Sequence, residues 1–114
     1  MWQIRSGKRV FLRPLVIEDA PFMMDIVHDP ETTRYVPGLI QELAMMKQWI
    51  IGLGQSDHEY IVMRSDEKKP IGECSLTVRG STAEIGIMLL STYWCQGYGT
   101  EVVTLLMELA KELH

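Results

Sequence analysis

The spacing of hydrophobic positions switches between two residues and three to four along the chain, and each switch predicts an element. Arg9-Val10-Phe11-Leu12-Arg13-Pro14-Leu15 alternates weakly into a proline and predicts a first strand. Glu18-Asp19-Ala20-Pro21 opens a helix, with Phe22, Met23, Ile26 and Val27 on its apolar face and Asp29-Pro30 at its end. The stretch from Glu31 to Gly38 reads as irregular, with Tyr35-Val36-Pro37-Gly38 as a turn-like exit. Leu43, Met46, Trp49, Ile50 and Leu53 then recur at helical spacing and predict a second amphipathic helix from about Ile40 to Leu53. Met45 and Met46 on that helix could fill the core or line a binding site.

Beyond Gly54 the period becomes two. Tyr60 to Met63, Ile71 to Val78 and Ala83 to Leu90 predict three strands, joined by the charged turn Ser65 to Pro70 and the tight turn Gly80-Ser81. Connections this short exclude parallel crossovers, so the strands form an antiparallel meander. From Gly97 to His114 runs the strongest helix, with Val102, Val103, Leu106, Leu109, Ala110 and Leu113 on one broad stripe. So wide a stripe needs a sheet to pack on. The predicted order is β-α-α-β-β-β-α, an α/β fold of α+β character in a single domain, residues 1–114.

Composition removes several function classes. A content of 46% hydrophobic and 23% charged residues is that of an ordered globular domain. Eleven Lys+Arg against fifteen Asp+Glu give a net charge of −4 and no basic face, so no nucleic-acid partner is expected. The longest apolar stretch, Ile85 to Leu90, is strand-sized, and no apolar run follows Arg5, Lys8 and Arg9; neither a membrane partner nor a signal peptide is expected. Cys74 and Cys95 lack CxxC spacing and read as free thiols, which points to a cytoplasmic location. His28, His58 and His114 are scattered, so no metal site is expected.

Candidate chemistry concentrates in Trp94-Cys95-Gln96-Gly97-Tyr98-Gly99-Thr100-Glu101, which joins a hydrophobic strand to a helix through two glycines. Glycines there let an anion approach the unpaired amides at the positive helix end, the arrangement that seats a phosphate; they also suit a bend with only a packing role. A P-loop is excluded because no Gly-Lys-Ser/Thr follows. The dinucleotide fingerprint is excluded because Val102 stands where its third small residue belongs and the preceding strands are antiparallel.

With these residues in this order, the chain resembles about the N-terminal two-thirds of a GNAT-superfamily N-acetyltransferase. Within that superfamily it is similar to the branch that includes the ribosomal-protein N-terminal (alanine and serine) acetyltransferases. The resemblance rests on Val10-Phe11-Leu12-Arg13-Pro14-Leu15 with Glu18-Asp19-Ala20, on Ala83-Glu84-Ile85-Gly86, and on Tyr93 to Glu101. The pattern Gln/Arg-x-x-Gly-x-Gly/Ala maps onto Trp94 to Gly99, with Trp94 in place of the usual Gln or Arg.

The resemblance implies transfer of an acetyl group from acetyl-CoA, as cosubstrate and without a metal, to the primary amine of a small molecule or peptide N-terminus. It implies that the backbone of Cys95, Gln96, Gly97, Tyr98, Gly99 and Thr100 holds the pyrophosphate, and that Ile87, Met88 and Leu89 run beside the pantetheine arm. One of those strand amides would polarise the thioester carbonyl. Glu84 is the implied general base, or else a solvent-facing carboxylate, and Glu101 would support the helix amides. Arg34 and Tyr35 mark either the acceptor's entry or an ordinary surface loop. The family fold continues with a further strand, a helix and a closing strand pair, so the domain is expected to be incomplete at its C-terminus. A non-catalytic or degenerate acyl-CoA-binding or interaction domain is the alternative reading. Either way, the uncovered strand Ala83 to Leu90 predicts a homodimer or larger self-assembly.

Overall fold

Alternation along the strands builds a fully antiparallel sheet whose two faces receive different helices. The computed structural model describes residues 5–34, 36, 38–54 and 58–113. Its elements are β1 (Arg5–Ser6), β2 (Val10–Pro14), α1 (Ala20–Val27), α2 (Pro30–Thr33), α3 (Leu43–Ile51), β3 (His58–Arg64), β4 (Lys69–Arg79), β5 (Thr82–Leu89) and α4 (Tyr98–Glu112). Single 3-10 turns at Ile17–Asp19 and Ser91–Tyr93 precede α1 and follow β5. The sheet order is β1-β2-β3-β4-β5, so β5 lies at one edge.

Period-two burial sorts the side chains. Val10, Leu12, Tyr60, Val62, Cys74, Leu76 and Leu89 turn to one face and pack on Val102, Leu105, Leu106 and Leu109 of α4. The opposite face presents Ile61 and Met63 to Met23, Ile26 and Val27 of α1 and to Met46 and Ile50 of α3. Val102 and Leu106 are fully buried. Burying a side chain of that size contributes about 1.5–3 kcal/mol, which holds α4 against the sheet. Arg13 closes the other layer: its guanidinium donates to both carboxylate oxygens of Asp19, at 2.7 and 2.8 Å. That pair, with Val16 N–H donating to Asp19 Oδ2, fixes the corner between β2 and α1.

Several boundaries differ from the periodicity. The two-residue β1, which pairs Arg5 with Leu12 and Ser6 with Phe11, is too short to show a period. Asp29-Pro30 ends α1 and also starts a short helix, because the Asp29 carboxylate accepts from Glu31 N–H at the N-cap of α2. Helix α3 starts at Leu43, not near Ile40; Glu42 is extended, and Leu39 and Ile40 pack on the α1/α3 core from outside the helix. Lys69 and Pro70 belong to β4, with Pro70 opposite Met63 where a bulge shifts the β3–β4 register. Gly72 is required where β4 and β5 approach closely: a Cβ there would lie 2.5 Å from Met88 O.

Candidate functional site

The link from β5 to α4 needs two residues in left-handed conformation, Cys95 at φ 60° and Gly97 at φ 87°. Gly97 is the N-cap of α4, and among the described residues no side chain caps that end. The first helical bond is Glu101 N–H to Gly97 O at 3.3 Å, so the amides of Tyr98, Gly99 and Thr100 point out of the helix end. A Cβ at Gly97 would meet Arg9 Nη2 at 2.9 Å, whereas nothing lies within 4 Å of a Cβ at Gly99. The Arg9 guanidinium stacks 4.4 Å from the Tyr98 ring centre. Lys8, Arg9, Arg64 and Asp66 line a pocket of about 140 Å³ against Tyr98, where Arg64 Nη2 donates to Asp66 Oδ2 at 2.6 Å. Arg9 therefore lies against the helix end, where it also pairs with Glu101. Cys95 is exposed, and Gln96 anchors the turn by donating from Nε2 to Thr92 O.

Glu101 does not serve its own helix. Its Oε1 accepts from the backbone amides of Arg9 and Val10, at 2.6 and 3.2 Å, and its Oε2 lies 3.2 Å from Arg9 Nε. Desolvation raises its pKa, but these donors outweigh that and hold it below the usual glutamate range. The carboxylate thus ties the start of β2 to the first turn of α4.

Strand β5 divides its residues between two directions. Leu90 N–H donates to Ile71 O, so Leu90 and, by alternation, Met88 turn their main-chain groups toward β4. Ile87 and Leu89 turn theirs to the open edge. The Leu89 carbonyl is already engaged there by Trp94 Nε1–H at 2.9 Å, with Thr32 Oγ1 also at 2.9 Å. Asp29 reinforces this corner: its carboxylate accepts from Ser91 N–H at 2.8 Å and lies 2.7 Å from Thr32 Oγ1. The Ser91 amide above all, helped by the Thr32 and Ser91 hydroxyls, draws the Asp29 pKa down to about 2.

Met88 contributes its side chain instead, to a cavity of about 290 Å³ between the sheet and the helices α1 and α3. Met23, Val27, Met46 and Trp49 form its apolar wall, and Glu59, Glu73 and Ser75 its polar floor. Glu73 stands opposite Ile61, and Glu59 opposite Ser75, which puts both carboxyls diagonally on one face. Only 6% of Glu73 is exposed. Burial, and then the hydrogen bond to Glu59, push the Glu73 pKa well up. Sequence reasoning missed both residues. Glu73, Ser75 and Thr77 alternate with Cys74, Leu76 and Val78, a pattern that reads as a solvated face, but α1 and α3 cover that face.

Glu84 shares this face, opposite Thr77 and two residues before Gly86, and it is exposed near the β4–β5 turn. The fold thus brings Ile87, Met88, Leu89 and the Cys95–Thr100 turn to one corner, with Glu84 farther along the same strand. Arg34 caps α2, is exposed and pairs with Glu31 at 3.6 Å; it does not line the cavity, whereas Gly38, Leu39 and Ile40 do. Tyr35 lies outside the described residues. Cys74 is a buried core residue whose thiol pKa is pushed up by desolvation, the opposite of an activated nucleophile. Among the described residues, no group of His, Cys, Asp and Glu is placed to hold a metal ion. No helix among them is long and apolar enough to cross a membrane.

The chain is similar in structure to a GNAT-family acetyltransferase from Bacillus anthracis, with TM-score 0.83 and 17% identity over 97% of this chain and 68% of that one. An acetyltransferase from Agrobacterium tumefaciens str. C58 is similar at TM-score 0.72 and 19% identity, over 97% of this chain and 68% of the other. The ribosomal L7/L12 α-N-protein acetyltransferase RimL, solved in complex with coenzyme A, is similar at TM-score 0.77 and 17% identity, over 93% and 66%. The chain thus spans about two-thirds of the length of these structures. No curated protein matches this sequence. The family model described as an acetyltransferase (GNAT) domain matches residues 9–114, and the chain belongs to that family.

Proposed function

We propose that this chain is the donor-binding part of an acetyl-CoA-dependent N-acetyltransferase, since acyl transfer from acetyl-CoA to an amine is the activity general to its family. One observation carries the reading: the open space beside Gly99, bordered by the uncapped amides of Tyr98, Gly99 and Thr100. A pyrophosphate seated there gains the helix-end amides and dipole, and Arg9 adds positive charge. The similarity in fold to RimL, which has been solved with coenzyme A, supports the same seat. From it the pantetheine arm runs along the edge of β5, where Ile87 and the Leu89 amide offer main-chain partners. An edge amide also polarises the thioester carbonyl as negative charge develops on its oxygen. The acceptor amine approaches from the cavity side, and Glu84 passes its proton through water to solvent.

Calorimetry with CoA tests this directly. Gly99→Asp places bulk and negative charge in a space that is empty in the fold, so its CoA affinity is expected to fall at least roughly tenfold, the scale of a lost charge-assisted contact. Gly99→Ala is expected to fold at least as stably as the wild type, because alanine suits a helix by about 0.8–1 kcal/mol more than glycine. Unchanged CoA affinity in a folded Gly99→Asp variant places the phosphate elsewhere.

A further inference from the structure

The buried acidic pair under α1 and α3 is built like half of a recognition site. Glu59 Oε2 is buried and, among the described residues, has no hydrogen-bond partner. Among the described residues neither Glu59 nor Glu73 has an ion-pair partner. An unmatched buried oxygen costs about 1–3 kcal/mol, so the floor of the cavity is short of one donor. Burial, and then the Glu59 carboxyl beside it, favour the protonated form of Glu73. Glu73 lies beside Glu59 on the same floor and is almost wholly buried, so Glu59 Oε2 is the acceptor that the cavity leaves open. A carboxyl oxygen lacking a donor is matched most strongly by a charged N–H group.

The rest of the cavity describes the body attached to that cation. Its walls are Met23, Val27, Met46, Trp49 and Met88, and its volume of about 290 Å³ is at the small end for ligand sites. Met88 stands between Ile87 and Leu89, so the cavity adjoins the strand edge assigned to pantetheine. We propose that the Glu59–Glu73 pair seats the ammonium group of the acetyl acceptor, and that this acceptor is a small primary amine with one positive charge and an apolar body, of the arylalkylamine kind. The assignment rests on the transferase reading and adds the acceptor class to it. A polyamine would set further charges against methionine and tryptophan. A peptide would bring polar backbone into a space whose described polar lining is Glu59, Glu73 and Ser75.

The test is calorimetric titration of the 114-residue chain, without CoA, using 2-phenylethylamine and its neutral isostere 2-phenylethanol. The amine is expected to bind at least roughly tenfold more tightly than the alcohol, the scale of one charge-assisted hydrogen bond. Glu59→Gln is expected to abolish that preference. Glu73→Gln, which leaves the Glu59 carboxyl in place, is expected to retain it within a few-fold. Equal binding of the two ligands by the wild type, a comparison needing no variant, overturns the proposal, as does a preference that survives Glu59→Gln. Tighter binding of an alanyl tripeptide with a free N-terminus overturns the small-amine assignment. CoA titrated separately into the wild type reports the donor site, so failure of the transferase reading and failure of the acidic pair are read in different experiments.

Discussion

Glu73 shows how one residue's cost can be traced through pH. Its carboxyl prefers the protonated form in the fold, because burial and the neighbouring Glu59 both disfavour a second charge. In the unfolded chain it ionises as an ordinary glutamate. Between those two pKa values the folded state holds the extra proton, so stability falls as pH rises, by up to ~1.4 kcal/mol per pH unit for this one group. Below the unfolded value both states are protonated and the loss vanishes. Glu73→Gln removes the titration, so urea denaturation across pH 4 to 8 is expected to show the variant gaining on the wild type as pH increases. A constant difference across that range would mean that Glu73 ionises in the fold as it does in the open chain. The residue was invisible as a buried acid in the sequence. Strand alternation separates Glu73 from Cys74 and Leu76, but whether its face meets water depends on helices far away in the chain. Glu101 misled for a similar reason: its first-turn position suggested service to its own helix, while its acceptors go to Arg9 and Val10.

Elements were more legible than residues. The strands around Tyr60–Met63, Ile71–Val78 and Ala83–Leu90, and the helix after Gly97, all lie where periodicity places them, because each buries a regular stripe. Elements held by side-chain hydrogen bonds leave no such stripe, and α2 is the case in point. Its N-terminus depends on Asp29, which also grips the Ser91 amide at the end of β5. That one carboxylate joins the helical layer to the strand that leads into the glycine turn before α4. Asp29→Ala is expected to cost about 1–3 kcal/mol, since it removes an N-cap and leaves the Ser91 N–H without its acceptor. Amide hydrogen exchange should localise the effect, with Ser91 exchanging faster while α4 amides change only by the global loss. Protection at Ser91 equal to the wild type would show that the link is not what orders this corner. The depressed pKa has its own signature. Asp29 stabilises the fold above its unfolded pKa, and that contribution is lost as pH falls toward about 2.

At the scale of the whole molecule, both faces of the sheet are covered by helices, but among the described residues β5 has a neighbour only on the β4 side. Its outward row consists of the main-chain groups of Ile85, Ile87 and Leu89, and Ile85 is itself exposed at 38%. Such an edge offers hydrogen bonds to whatever extended chain meets it, and β5 is long enough at eight residues to pair stably. Two uses of this edge follow from the fold, and they compete. A second copy of the 114-residue chain could pair along β5, and the pantetheine arm of CoA would need the same outward groups at Ile87 and Leu89. The expected result is therefore a concentration-dependent dimer at micromolar protein that shifts toward monomer when CoA is added in excess. Sedimentation velocity with and without CoA measures this directly. A monomer under both conditions would show that the edge does not self-pair. A dimer indifferent to CoA would place the contact elsewhere, with the exposed Met107 of α4 and Ile51 of α3 the next surfaces to change. Ile87→Pro separates the cases, because it removes the outward N–H from the middle of the edge and leaves the exposed Met107 and Ile51 in place. If the dimer is an edge pairing that CoA displaces, this substitution should weaken dimer and CoA affinity together; loss of one alone would show that they use different parts of the molecule.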